Sequence, residues 1–147
     1  MERGTIKKSI DVKAPASKVW NVLTQDKFNR IWYAAFMEGS YAVTDWQQGS
    51  KVTFLDGDKN GVFGKIVELK PNEKISMRYE GVVENGQETT TSDDAKQWIG
   101  ATEIYSLSNT NGNTSILVEL EGPVKFMEMC TPLWDKALQK IKGLSEE

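Results

Sequence analysis

The strand-to-helix junction at residues 10–24 constrains the fold of this chain more than any other feature. Residues 5–12 alternate between polar and apolar side chains as a half-buried β-strand does, and Pro15 ends the strand because proline cannot donate to a ladder. Ser17 is predicted to cap the helix that follows, whose buried side carries Val19, Trp20, Val22 and Leu23. The chain therefore begins with a strand that leads directly into an amphipathic helix.

Further alternating segments, separated by turn residues, occupy most of the remaining sequence. They predict strands near residues 40–44, 51–55, 62–69, 74–81, 102–107 and 114–121, joined by turns such as Asn85-Gly86 and Asn111-Gly112. A second short helix is predicted near residues 26–36 from the helical spacing of Phe28, Ile31, Trp32, Ala35 and Phe36. The polar residues 84–97 are predicted to form a mobile loop at the rim of the fold.

A long amphipathic helix is predicted at the C-terminal end of the sequence. Its apolar stripe recurs every three to four residues and contains Phe126, Met127, Cys130, Leu133, Trp134, Ala137, Leu138, Ile141 and Leu144. Pro132 predicts a kink or a helix start nearby, because proline removes a donor and clashes with the preceding turn.

Strand alternation predicts which side chains face this helix. One face of the sheet is expected to carry Ile75, Met77, Tyr79, Tyr105, Leu107, Ile116, Val118 and Leu120, while the opposite face is mostly polar. The apolar face needs a cover, and the C-terminal helix supplies it. The sequence therefore predicts an α+β fold with an antiparallel sheet, in which the first and last strands are neighbours or near-neighbours and the last helix crosses the concave face.

Length and charge narrow the class of protein further. A chain of 147 residues fits one domain spanning residues 1–147. The formal charge of −3 and the pI near 5.2 give no broad basic surface, so neither nucleic acid nor a membrane is a predicted partner. No apolar run reaches the ~20 residues that span a bilayer. Nothing resembles a secretory signal, so a cytoplasmic location is expected.

The residues that support enzymatic chemistry are scarce. The chain has no histidine, which excludes Ser-His-Asp and Cys-His catalytic sets and histidine-ligated zinc. Cys130 lies on an apolar helix stripe and is predicted to be a small buried hydrophobe rather than a reactive thiol. Residues 56–61 match the first half of a calcium-binding EF-hand loop, but Val67 stands where the bidentate glutamate belongs, which favours a polar hairpin turn. We therefore predict no metal and no cofactor.

Several short motifs follow one another along the chain in a recognisable order. They are VKAPASKVW at 12–20, Trp32, DWQQGS at 45–50, GKIVELKP at 64–71, GNT at 112–114 and the helix that carries Trp134. In this order they resemble the START-like (SRPBCC) superfamily, and most closely bacterial single-domain proteins of the activator of heat-shock-protein-90 ATPase homologue type. The resemblance implies a helix-grip (START/Bet v-like) fold: a curved antiparallel sheet wrapped around a long C-terminal helix over an internal cavity, with two short helices after the first strand.

Aromatic and methionine side chains are the predicted lining of such a cavity. They offer large and adaptable contact surfaces to an apolar ligand, with Trp98 and the rim loop at the entrance. The predicted ligand-binding residues are Trp32, Phe54, Met77, Tyr79, Trp98, Tyr105, Met127 and Trp134. Taken singly, each of these side chains also fits a filled core.

Three classes of function remain open at this point. The sequence favours non-enzymatic binding of a small hydrophobic molecule, and the resemblance adds a chaperone-associated module whose partner is a chaperone or another protein. The third class is a cyclase- or hydrolase-like enzyme that uses Glu103 and the cavity tyrosines. If Glu103 shares the inward parity of Tyr105, burial raises its pKa and suits it to acid–base work; otherwise it is a strand-end residue paired with water or lysine.

Overall fold

The computed structural model of the protein describes residues 2–147. In chain order its elements are β1 (Arg3–Val12), α1 (Ala16–Thr24), α2 (Asp26–Tyr33), β2 (Tyr41–Val43), β3 (Lys51–Leu55), β4 (Gly61–Lys70), β5 (Lys74–Glu84), β6 (Gln87–Thr89), α3 (Asp93–Trp98), β7 (Thr102–Thr110), β8 (Asn113–Pro123) and α4 (Val124–Glu146). None of the helices within this range is long and apolar enough to cross a membrane.

The strands form one antiparallel sheet in the order β1-β8-β7-β5-β4-β3-β2, and β6 pairs with β5. The first and last long strands are neighbours along their whole length, from the Arg3–Pro123 pair to the Val12–Thr114 pair. The curved sheet grips α4, and α1 and α2 follow the first strand. This architecture confirms the predicted α+β helix-grip fold.

Irregularities in the pairing of β4 with β5 let the sheet curl. The register between β4 and β5 shifts between Phe63 and Gly64 and again between Ile66 and Glu68, and such bulges bend a strand and increase its twist. A Cβ atom on Gly81 would lie only 2.8 Å from the Phe63 ring, so the aromatic side chain occupies the space over this glycine. The resulting concave face is what α4 covers.

The core lies between that concave face and the inner side of α4. The residues predicted to face inward on β5, β7 and β8 are buried, and so are Trp134, Ala137, Leu138 and Ile141 on α4. Burying a large apolar side chain contributes about 1.5–3 kcal/mol. The alternation of the strands and the stripe of the last helix therefore supply the two complementary surfaces of one core.

The structure corrects two predictions about the first helices. Helix α1 begins at Ala16, because the carbonyl of Pro15 already accepts hydrogen bonds from the amides of Lys18 and Val19; Ser17 therefore lies inside the helix and does not cap it. Helix α2 ends at Tyr33 rather than near residue 36, and Ile31 is 46% exposed instead of buried.

Two further predictions about irregular segments were incomplete or wrong. The stretch 84–97 is not a plain loop, since it contains β6 and most of α3, whose first turn is capped by the Ser92 hydroxyl accepting from the Ala95 amide at 3.1 Å. Helix α4 begins at Val124 and passes through Pro132 without ending. Pro132 and Glu128 lie on the exposed side of the helix, where water can satisfy the carbonyl that proline leaves without a donor.

The β3–β4 hairpin provides a matched test of close backbone packing. A Cβ atom on Gly61 would lie 1.7 Å from the Phe54 carbonyl oxygen, whereas one on Gly57 meets nothing within 4 Å. We expect Gly61→Ala to lower the free energy of unfolding by at least ~1–3 kcal/mol, the usual cost of overpacking. Gly57→Ala should leave it nearly unchanged. Chemical denaturation checks both, and equal stability of the two variants would contradict this packing.

Candidate functional site

A cavity of about 910 Å³ lies between the concave face of the sheet and the first half of α4. Ligand sites typically enclose about 300–1,000 Å³ and are lined mainly by apolar and aromatic side chains. Helix α2 contributes Trp32 and Tyr33, the sheet contributes Phe54, Tyr79 and Tyr105, and α4 contributes Phe126, Met129, Leu133 and Trp134. The space beside α4 therefore has the size and the apolar lining that are typical of a ligand site.

Aromatic rings form a nearly continuous wall around this cavity. From the entrance inward, Phe126 contacts Trp98 with ring centres 4.8 Å apart, and Trp98 contacts Tyr79 at 5.5 Å. The wall continues through Phe54, Tyr33, Trp32 and Trp134 with centres 4.3–6.2 Å apart. Most of these pairs meet edge to face, the arrangement that aromatic quadrupoles favour, so the wall is defined by its own packing.

A buried indole hydrogen bond fixes the inner end of the wall. Trp32 has no exposed surface, and its Nε1 donates to the carbonyl of Val22 at 3.0 Å. This bond ties α2 to α1 and satisfies the only polar atom of the indole ring. Trp32 is thereby held against Tyr105 and Trp134 at the floor of the cavity.

Glu103 is the buried acid of the cavity. It precedes Tyr105 by two positions on β7, so both side chains point inward, and Tyr79 reaches the same point from β5. The Tyr79 hydroxyl donates to Glu103 Oε1 at 2.8 Å, and the Tyr105 hydroxyl donates to Oε2. Burial raises the pKa of Glu103 above its ordinary value, and the hydrogen bonds from Tyr105 and Tyr79 partly offset that rise. Its side-chain partners are thus two tyrosines, not the lysine of the alternative prediction.

Burial also raises the pKa of Tyr33, Tyr79 and Tyr105 well above 10.0, and the charge of Glu103 adds to each rise. The folded state then keeps protons that the unfolded state loses, so the contribution of these groups to stability is present below pH ~10 and declines above it. We expect these three phenols to stay un-ionised until the protein unfolds in alkali. Phenolate absorbance recorded together with circular dichroism tests this.

The alkaline titration has an internal control. In denaturant all four tyrosines should ionise together near pH ~10. In the folded protein most of the absorbance change should coincide with the loss of circular dichroism. If most of it instead appeared near pH ~10 while the protein stayed folded, the hydroxyl groups around Glu103 would be open to water.

Cys130 and residues 56–61, which the sequence analysis also considered, have structural explanations. Cys130 is buried in α4, and burial raises the pKa of its thiol to about 11. Asp56 Oδ1 accepts from the amides of Asp58 and Asn60, so residues 56–61 form a hairpin turn. Within residues 2–147 no three histidine, cysteine or carboxylate side chains are grouped to hold a metal ion.

The structure brings together most of the predicted ligand-binding residues. Those that line the cavity are Trp32, Phe54, Tyr79, Trp98, Tyr105 and Trp134, with Trp98 near the entrance. Met77 and Met127 do not line it. Met77 is fully buried in the core, and Met127 packs over β1 and β8, where its atoms lie 3.2 Å from where Gly4 and Gly122 would carry a Cβ.

Several lining residues escaped sequence reasoning. Tyr33 falls off the apolar stripe predicted for α2, yet it is 7% exposed and joins the aromatic wall. Met37 and Met129 line the cavity and are 55% and 57% exposed, and Phe126, predicted only as part of the helix stripe, lines it too and is 39% exposed, so the three form an apolar entrance. Isolated exposed apolar residues are common on protein surfaces, and only their convergence in space identifies these three.

Comparison with solved structures identifies the fold. Protein MLL2253 from Mesorhizobium loti has a TM-score of 0.74 at 15% identity, with 96% of each chain covered. Protein CV1439 from Chromobacterium violaceum has 0.70 at 22% identity, covering 97% of each chain. The Aha1 dimer from Colwellia psychrerythraea has 0.69 at 19% identity, covering 97% of this chain and 96% of that one. None of the curated proteins matches the chain.

The sequence itself matches a protein family over most of its length. The family is described as activator of Hsp90 ATPase homolog 1-like protein, and the match covers residues 13–144. These residues include α1, the cavity wall and nearly all of α4. The predicted resemblance is confirmed: the chain belongs to the activator of Hsp90 ATPase homolog 1-like family within the START-like group.

Proposed function

We propose that the protein binds a small hydrophobic molecule in the central cavity without transforming it. The observation that carries this proposal is the cavity itself, about 910 Å³ in volume and walled by aromatic side chains. Unfilled space in a protein interior forfeits contacts and lowers stability, so a cavity of this size is costly unless a ligand or water occupies it. An apolar ligand recovers those contacts.

The entrance supports the same proposal. Met37, Phe126 and Met129 leave apolar surface exposed around the opening. Methionine side chains are flexible and polarisable, so they adapt to the shape of a passing ligand. Trp98, at the end of the short helix α3, lies beside Phe126 and completes this rim.

Titration with the neutral dye N-phenyl-1-naphthylamine tests the proposal. Binding in the cavity should be saturable, close to one dye per protein, and competed by a non-fluorescent apolar molecule. Enhancement that fails to saturate and grows as denaturant destabilises the fold would indicate loose surface binding and would contradict the proposal.

A chaperone-associated module is the second candidate. The family description favours it, as does the apolar rim, which offers a surface to a protein partner. Substituting Phe126 and Met129 with serine distinguishes the candidates: a docking surface would lose its partner chaperone, whereas saturable dye binding at the cavity floor would persist.

An enzyme of the cyclase or hydrolase type is the third candidate, and Glu103 favours it. A buried carboxyl group with a raised pKa, held by Tyr79 and Tyr105, is suited to proton transfer. Mass analysis of a bound ligand before and after incubation separates this candidate from simple binding, because only an enzyme alters the ligand's mass or connectivity.

A further inference from the structure

The floor of the cavity carries one buried acid without a cationic partner. Glu103 is 9% exposed, and among residues 2–147 no lysine or arginine forms a salt bridge with it. Tyr79 on β5 and Tyr105 on β7 donate hydrogen bonds to Glu103. The charge of Glu103 in turn acts on Tyr33 on α2 and on Cys130 on α4. Tyrosine and cysteine side chains are neutral or negative, so none of the four supplies a positive charge.

The carboxyl group of Glu103 retains unused hydrogen-bonding capacity. An ionised carboxylate offers about four acceptor positions, and the two tyrosine hydroxyls occupy one on each oxygen. Burying such a charge without a counter-charge is costly. A cation placed at the remaining acceptor positions would offset that cost and would shift the equilibrium toward the ionised acid.

The charges at the cavity mouth also favour a cationic ligand. Besides Glu103, the acidic and basic side chains of the lining are three acids, Asp56, Glu84 and Asp94, and the single base Lys125. Within the described chain none of these four residues takes part in a salt bridge. A cleft lined by one sign of charge attracts ligands of the opposite sign and repels those of its own.

Resting on the proposed function, we propose that the ligand is a hydrophobic amine whose ammonium group binds the Glu103 carboxylate while its apolar body packs among the cavity rings. The phenol rings of Tyr79 and Tyr105 adjoin the Glu103 carboxylate, and aromatic rings attract cations electrostatically, so these two rings favour an ammonium group at this depth. Fatty acids and other apolar anions would meet the repulsion of Glu103 and of the acidic mouth.

Three molecules with the same naphthalene body test this proposal: 2-(2-naphthyl)ethylamine, 2-(2-naphthyl)ethanol and 2-naphthylacetate. Calorimetric titration at pH 7 should show the amine binding at least about tenfold more tightly than the alcohol, because a charge-assisted hydrogen bond is roughly twice as strong as a neutral one. The acetate should bind most weakly. Equal affinity for amine and alcohol, or tightest binding of the acetate, would overturn the proposal.

Two variants isolate the contribution of the carboxylate. Glu103→Gln keeps the shape of the side chain and should bring the ratio of amine affinity to alcohol affinity close to one. Glu121→Gln makes the same change at an exposed glutamate that does not line the cavity, and it should preserve the amine preference. Loss of the preference in Glu121→Gln, or its survival in Glu103→Gln, contradicts the proposal. If Glu103→Gln fails to fold by circular dichroism, the comparison of the three ligands in the unmodified protein still decides.

The outcomes distinguish this inference from the proposed function. If the neutral dye saturates the cavity while the three naphthalene ligands show no amine preference, or none of them binds, the amine inference fails and hydrophobic binding stands. If the dye also fails to saturate, both fail.

Discussion

Replacing Trp134 with alanine should lower the free energy of unfolding by about 3–5 kcal/mol, the usual cost of deleting a large buried aromatic side chain. Trp134 is 3% exposed and contacts three aromatic neighbours, with ring centres 5.0 Å from Phe36, 6.0 Å from Tyr105 and 6.1 Å from Trp32. Its loss would remove the contacts that join α4 to α2 and to β7. Chemical denaturation monitored by circular dichroism measures the effect.

Trp98→Ala is the matched control for this experiment. It deletes the same side chain at the cavity rim, where the indole is only half-buried and contacts Tyr79 and Phe126. The loss of stability should be smaller than for Trp134→Ala, because less apolar surface leaves contact with the protein. Equal losses in the two variants would show that the wall near α4 is no better packed than its rim.

Leu133→Trp should weaken dye binding by about tenfold, equivalent to ~1.4 kcal/mol, while the protein stays folded. Leu133 is half-buried and lines the cavity, so the larger indole can enter space that a ligand would use. Filling an open cavity costs little stability, whereas overpacking a solid core costs about 1–3 kcal/mol. Leu133 suits this test better than Tyr79 or Tyr105, whose hydroxyls donate to Glu103.

Leu144→Trp controls for the substitution itself. Leu144 is a half-buried leucine on the same helix, but it does not line the cavity. This variant should therefore bind the dye as the original protein does. If Leu133→Trp also bound the dye normally and lost several kcal/mol of stability, the space beside α4 would be packed rather than open.

The sheet and its inward face could be predicted from sequence because strand alternation has a strict period of two. That period places Glu103 and Tyr105 on one side of β7, and it places Tyr79 on the matching side of β5. Turn residues allowed the hairpins to be predicted as well. All four residues of Asn85-Gly86 and Asn111-Gly112 have positive φ, as tight reversals require. Helix α3 was missed because its six residues are too few to show a helical period.

The cavity required the structure, because helical periodicity identifies a buried stripe without saying what each residue in it contacts. Met127 and Trp134 belong to the same stripe of α4, yet Met127 fills the space over Gly4 and Gly122 while Trp134 lines the cavity. The difference arises from the curvature of the sheet, which depends on bulges that have no plain sequence signal. Tyr33 was likewise not predicted to line the cavity. Helix α2 ends at this residue, and the sequence pattern did not place that end.

The five tryptophan indoles permit the most direct test of binding in the cavity. Trp32, Trp98 and Trp134 line it, whereas Trp20 and Trp46 lie outside. Titrating ¹⁵N-labelled protein with N-phenyl-1-naphthylamine should shift the indole N–H resonances of the first three and leave those of the other two nearly unchanged. Shifts of equal size at all five indoles, or shifts only at Trp20 and Trp46, would contradict binding in the cavity.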